Sequence, residues 1–130
     1  MPINSQWENN DKTIIHVKFS DDWTWNEFAV VRTTILGMIE GVPHFVDYIA
    51  DFQDTDDIPN GALAIGRSIH KSCSHNQGII VIVGVSSTLR ILYQSLTLAY
   101  PATKSNFVLA ATLDEAHNII TDIQQNRNEN

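Results

Sequence analysis

The sequence predicts an α/β domain: an N-terminal β-hairpin followed by alternating α and β segments, with a mostly parallel sheet and four helices. Three observations carry this. Apolar residues switch along the chain between runs of strand type and helical spacing. Capping chemistry opens three of the helical stretches, at Thr24 and Glu27, at Ser86-Ser87-Thr88, and at Thr112 and Glu115. The run Gly78-Ile79-Ile80-Val81-Ile82-Val83-Gly84-Val85 is unbroken and apolar, the composition of a strand covered on both faces.

Each element follows from its residues. Residues 3–8 form a short first strand, and Asn9-Asn10-Asp11 is turn chemistry. Lys12-Thr13-Ile14-Ile15-His16-Val17-Lys18-Phe19 is rich in β-branched residues and completes the hairpin. Asp21-Asp22 breaks the pattern. Thr24 then caps a helix, Glu27 completes a capping box, and Trp23 and Phe28 hold the positions of a hydrophobic staple. Phe28, Val31, Ile35, Met38 and Ile39 share one helical face, and Gly41 and Pro43 end the helix.

Residues 44–52 read as a central strand. A second helix begins near Gly61, with Ala62, Ile65, Ile69 and Cys73 on one face, and Ser74-His75-Asn76-Gln77-Gly78 closes it. Asn60, just before it, is of a type that caps helices. The 78–85 strand comes next. The third helix carries Leu89, Leu92, Tyr93, Leu96 and Tyr100, and Pro101 stops it. Residues 106–111 are the last strand. Ala116, Ile119, Ile120 and Ile123 stripe the last helix.

The 130 residues fit one domain, with an ordered core over 3–124 and a polar tail at 125–130. Hydrophobic residues make up 43% of the chain, enough for a core. A net charge of −7, with the eight basic residues scattered, disfavours nucleic acid and anionic membrane as partners. Cys73 is the single cysteine, so no internal disulfide forms. The first residues lack a basic region and an apolar region of signal-peptide type. No apolar run is long enough to span a bilayer. These features predict a cytoplasmic protein.

The densest chemistry lies where the third strand runs into Asp51-Phe52-Gln53-Asp54-Thr55-Asp56-Asp57-Ile58-Pro59-Asn60-Gly61. A loop at the carboxyl end of a strand is where α/β domains place function. The acidic cluster fails as an EF-hand loop begun at Asp54, because the sixth position is Pro59 and the twelfth is Ile65. A solvated acidic loop is the simpler reading. Asp21, Asp22, Asp51 and Ser86 resemble a phosphoacceptor site by position, but Lys104 precedes the last strand where a receiver domain needs a lysine after it. The five histidines show no metal-ligand spacing, and Cys73-Ser74-His75 is not a catalytic pair. Trp23 and Trp25 could line an apolar ligand pocket, or serve as a staple and a half-buried aromatic.

The element order resembles the STAS domains of sulfate transporters and anti-sigma factor antagonists. Residues 46–52 resemble that family's central strand. Ile58-Pro59-Asn60-Gly61-Ala62-Leu63 sits where the family has its Asp-Ser-x-Gly turn, and Thr112-Leu113-Asp114-Glu115-Ala116 resembles the segment opening its last helix. The resemblance covers residues 7–123, and the Trp23-Thr24-Trp25 helix start is similar to divergent bacterial members. The family's regulatory serine would fall on Pro59, with Asn60 beside it, and neither can be phosphorylated. Thr55 is the one hydroxyl in the loop, and the carboxylates around it oppose an added phosphate.

The resemblance implies a non-enzymatic protein-interaction domain without the phosphoswitch. Its partner-binding residues would be Asp54, Thr55, Asp56, Asp57, Pro59, Asn60 and Gly61, facing a basic protein surface. No cofactor, metal, nucleic acid or membrane is expected, and a homodimer is compatible with the sequence. Two rival classes remain: a small-molecule or lipid-binding module, and a receiver-like phosphoacceptor or metal-dependent enzyme. A closed core beneath Trp23 and Trp25 would count against the former.

Overall fold

The hairpin turns on one side chain. Asn9 Oδ1 accepts from the backbone N–H groups of Thr13 and Ile14 at 3.0 and 3.3 Å, which lets Lys12 hold a φ of 56°. This is the side-chain-to-backbone turn that asparagine favours. It joins β1 (Ile3–Trp7) to β2 (Ile14–Phe19) as an antiparallel pair. The computed structural model describes residues 2–56, 58–71 and 74–129, so the expected Asp57 and Cys73 positions lie outside the described residues.

α1 (Trp25–Glu40) has the N-cap and the staple contact that the sequence predicts, while Glu27 Oε1 accepts from the Thr24 hydroxyl at 3.2 Å. Thr24 Oγ1 accepts from the Glu27 N–H at 3.2 Å, and the Trp23 and Phe28 rings meet with centroids 6.4 Å apart. Phe28, Val31, Ile35 and Ile39 are its buried face. β3 (Val46–Asp51) is buried at every position and is shorter than the 44–52 expected. His44 and Phe45 stay exposed before it.

α2 (Ala62–Lys71) starts after Gly61, whose φ of +101° only glycine adopts without strain, and whose carbonyl accepts from the Ile65 N–H. β4 (Gln77–Val83) lies inside the sheet. α3 (Ser87–Ala99) is capped by Ser86 Oγ, which accepts from the Leu89 N–H at 3.0 Å. Pro101 ends α3 as expected and also opens a 3₁₀ turn, Pro101–Ser105, that the sequence pattern did not announce. Proline suits the first position of such a turn because no partner awaits its missing N–H.

β5 (Phe107–Ala110) and α4 (Leu113–Glu129) complete the chain. At α4 the Thr112 half of the expected capping box forms, the Glu115 N–H donating to Thr112 Oγ1, while Glu115 Oε2 accepts from the Ala111 N–H, one residue before the cap. The apolar stripe of α4 ends at Ile123, yet the helix runs on to Glu129.

The five strands stand in sequential order, β1-β2-β3-β4-β5, with β2 to β5 parallel. Right-handed crossovers taken in one direction carry their helices to one face. α1, α2 and α3 accordingly share a core with Val17, Phe19, Tyr48, Ala50, Ile80 and Phe107. α4 covers the other face, burying Ala116 and Ile120 against Ile49, Val81, Val83 and Ala110. No helix among the described residues is long and apolar enough to cross a membrane.

The extension of α4 has an electrostatic cause. Asp47 on β3 has no exposed surface. Its carboxylate accepts from the Ile79 N–H at 2.7 Å, from Gln124 Nε2 at 3.1 Å, and from both Arg127 guanidinium nitrogens at 2.8 and 2.7 Å. Arg127 also lies over the Phe45 ring, 4.9 Å from its centroid. A Cβ at position 78 would stand 2.0 Å from Asp47 Oδ1, so Gly78 leaves the room this bridge needs. At the same end of the sheet, Asn76 Nδ2 donates to the carbonyls of Ile39, Val42 and His44 at 2.7, 3.1 and 3.0 Å, tying the end of α1 to the start of β3.

Removing one partner of a buried ion pair strands the other charge. Arg127→Met should cost about 3 kcal/mol, the low end for such pairs, because the Arg127 side chain is itself 26% exposed. Urea unfolding measures it, and the loss should exceed that of an Arg→Met change at the exposed Arg90.

Candidate functional site

Five aromatic rings meet at the carboxyl end of the sheet. Phe19 ends β2, Phe52 follows β3, and Trp23, Trp25 and Phe28 come from the start of α1. Phe19 and Phe52 stack at 4.3 Å between centroids. Trp23 packs edge-on against Phe19 at 4.9 Å and against Trp25 at 4.7 Å, and Trp25 meets Phe28 at 5.8 Å. Offset and edge-to-face contacts of this kind suit the ring quadrupoles.

Beside these rings, between the sheet and α2 and α3, lies a partly open cavity of about 120 Å³. Its walls are almost wholly apolar. The sheet contributes Val17, Tyr48, Ala50 and Ile80, and the helices contribute Leu63, Ile69, Leu92 and Leu96 among others. The Tyr93 hydroxyl on this wall donates to the Phe107 carbonyl at 3.2 Å, and its burial raises the phenol pKa above the ordinary value.

Residues 58–60 of the loop fold over the same region. Ile58 lines the cavity. Trp25 Nε1 donates to the Asn60 carbonyl at 2.7 Å and is shared with the Pro59 carbonyl at 3.2 Å, so one cavity-wall indole holds the loop. The loop start is held too: the Gln53 N–H donates to Asp51 Oδ1 at 2.9 Å, and Thr55 N–H to the Phe52 carbonyl at 3.3 Å.

The predicted partner-binding residues therefore divide. Asp54, Asp56, Asn60 and Gly61 are exposed, Pro59 is half-buried, and Thr55 is 6% exposed. Asp54 pairs with Lys18 Nζ at 2.8 Å, and the hydrogen bond and charge of Asp54 raise the Lys18 pKa. Asn60 is not the residue at the head of α2; Gly61 occupies the cap position, and Asn60 offers its carbonyl to Trp25.

Of the positions considered for a phosphoacceptor, Asp51 and Ser86 have partners of their own. Asp51 Oδ2 lies 2.8 Å from His16 Nε2, while His16 Nδ1 lies 3.6 Å from Glu8, which in turn contacts His117 at 2.6 Å. Ser86 caps α3 and Asp22 adopts a φ of 68°. Among the described residues no group of three or more His, Cys, Asp or Glu is placed to hold a metal ion.

Sequence reasoning found Trp23 and Trp25 but missed Phe19, Phe52, Leu63, Leu92 and Tyr93 as cavity lining. A signal was present for two of them, since Phe19 and Phe52 both close strands at the same sheet end. Comparison with known proteins adds nothing to this geometry: no family model, no curated protein and no solved structure matches the chain.

Trp25→Phe keeps a ring in the cavity wall but removes the indole donor, so amide exchange across 58–61 should quicken and stability should fall by about 1 kcal/mol. For the pH profile, the raised Lys18 and Tyr93 pKa values both favour the protonated form in the folded state. That stability is fully present below the unfolded pKa values and is lost as pH rises through the folded ones. Melting temperature should decline once pH passes about 10, and Tyr93→Phe should blunt the decline.

Proposed function

We propose that this chain is a non-enzymatic binding domain that takes a small apolar ligand into the cavity between the sheet, α2 and α3. The observation that carries the reading is the hollow itself, about 120 Å³ with apolar walls and aromatic rings beside it. Protein cores pack to crystal density and keep few voids larger than water. Side chains lining an unfilled apolar hollow lack partner atoms on that side and lose dispersion contacts, a loss that an occupant would offset. A dry cavity of comparable size lined by Leu, Ile and Phe accepts benzene. The ligand class is therefore a single ring or a short hydrocarbon chain.

A second reading is the regulatory protein-interaction domain of STAS type. The element order supports it, as does an outward apolar face on α3, where Ile91 and Leu98 are 60% and 83% exposed. Exposed Asp54 and Asp56 supply the charge that a basic partner would meet. The absent serine at Pro59 makes this a regulator without phosphorylation at the family position. The two readings are compatible, since Ile58 lines the cavity while Asp54 and Asp56 of the same loop are exposed.

Titration with toluene and with 1-hexanol, followed by tryptophan fluorescence, tests the main reading. Trp23 and Trp25 line the cavity, so saturable quenching or a spectral shift is expected. Ala62→Phe, which places a ring into the space, should weaken binding at least tenfold in a protein that circular dichroism shows to be folded. Absence of saturable binding by either compound would remove the ligand reading and leave the interaction reading standing.

A further inference from the structure

Phe52 lines a second hollow as well as the apolar one. This neighbour is a cleft of about 160 Å³ bounded by Phe52, Gln53, Asp56, Gly84, Ser86 and Ala111, among others. It lies where β3, β4 and β5 end and α3 begins, the crevice outside the carboxyl ends of parallel strands where α/β sheets bind ligands. The two hollows differ in chemistry. The apolar cavity has almost no polar surface, whereas the cleft is bordered by an amide, a hydroxyl and a carboxylate.

One group dominates the cleft electrostatically. Among the described residues that line it, Asp56 carries the only full charge, and it has no ion-pair partner among the described residues. The opposing influence is the α3 N-terminus, equivalent to about half a positive charge. Ser86 Oγ already accepts one of its N–H groups. A full carboxylate outweighs that remainder, so the cleft favours a cation over an anion. Asp56, Gln53 and Ser86, which border the cleft, each carry an acceptor oxygen, the atom type that the donors of a protonated amine require.

Resting on the apolar-ligand reading above, we propose that cavity and cleft form one bipartite site for a small amphiphilic amine. The hydrocarbon fills the cavity, the ammonium group sits in the cleft against Asp56, and Phe52 is the partition over which the molecule lies. A carboxylate of the same chain length is disfavoured by Asp56.

Hexylammonium, 1-hexanol and hexanoate differ only in head group and carry charges of opposite sign or none at neutral pH. Titrated at low ionic strength, they should bind in that order, with hexylammonium about tenfold tighter than hexanoate and the gap narrowing as salt is added. Asp56→Asn should shrink the ammonium-to-carboxylate ratio to about threefold or less, and Asp56→Lys should invert it. Thermal melts establish that both variants fold, as substitution at an exposed position predicts. Binding of 1-hexanol with hexylammonium no tighter than hexanoate, or an unchanged ratio in Asp56→Asn, would overturn the bipartite site and leave the apolar reading intact. Failure of all three to bind would overturn both.

Discussion

A carboxylate with no exposed surface stands near the start of the central strand, and much of the architecture answers it. An isolated buried charge of this kind is prohibitively unfavourable. Asp47 is accommodated because Arg127 reaches it from the end of α4, Gln124 and the Ile79 amide complete its shell, and Gly78 leaves the space. The pair fixes where α4 lies along the sheet, so the helix that seals the second core is positioned by one ion pair at its far end. Hydrophobic burial of Ala116 and Ile120 holds the helix down; Arg127 sets its register.

The unequal cover of the two faces explains where ligand chemistry can arise. Three helices crowd one face, and they must pack against the sheet and against each other while the aromatic rings hold α1 at a fixed height. α2 and α3 do not fill the space this leaves, and the cavity results. On the other face, α4 covers β4 and β5 and Ile14 of β2 packs against the edge of that core, while Asn4, Gln6 and Lys18 of β1 and β2 are exposed. Glu8, His16, Asp51 and His117 occupy that flank as linked imidazole–carboxylate contacts. They give Asp51 its partner at the end of β3 and so help set the direction in which the chain leaves for the 54–61 loop.

Most of the fold was legible because local rules and tertiary structure agree here. Thr24 and Thr112 cap their helices as the sequence implies, and the uninterrupted apolar run of β4 is interior as its composition demands. The features that were not legible depend on distant partners. Nothing near Arg127 says that the polar tail stays helical; the reason lies eighty residues away at Asp47. The 3₁₀ turn at Pro101 was hidden because proline signals the end of a helix more clearly than the start of a tighter one. The loop was recognised as unusual from its acidic residues, but the cavity was legible only through Trp23 and Trp25, since a void is defined by several elements at once. Trp25 bridges the two levels: its ring reads as a staple neighbour, whereas its hydrogen bonds to 59 and 60 exist only once the loop has folded back.

Sequential strand order also leaves the sheet with two edges of unlike kind. β1 is an antiparallel edge whose exposed residues, Asn4 and Gln6, are polar, and β5 is four residues long with a 3₁₀ turn before it and a helix cap after it. Short, polar-faced edges are poor templates for strand addition. A chain this rich in apolar β-strand sequence would otherwise be at risk of stacking into cross-β aggregates, because β4 alone holds a long uncharged β-branched run. Keeping β4 in the interior and ending the sheet in such edges separates that run from neighbouring molecules while the fold is intact. Aggregation should therefore begin from states in which β5 or α4 has detached, rather than from the native sheet.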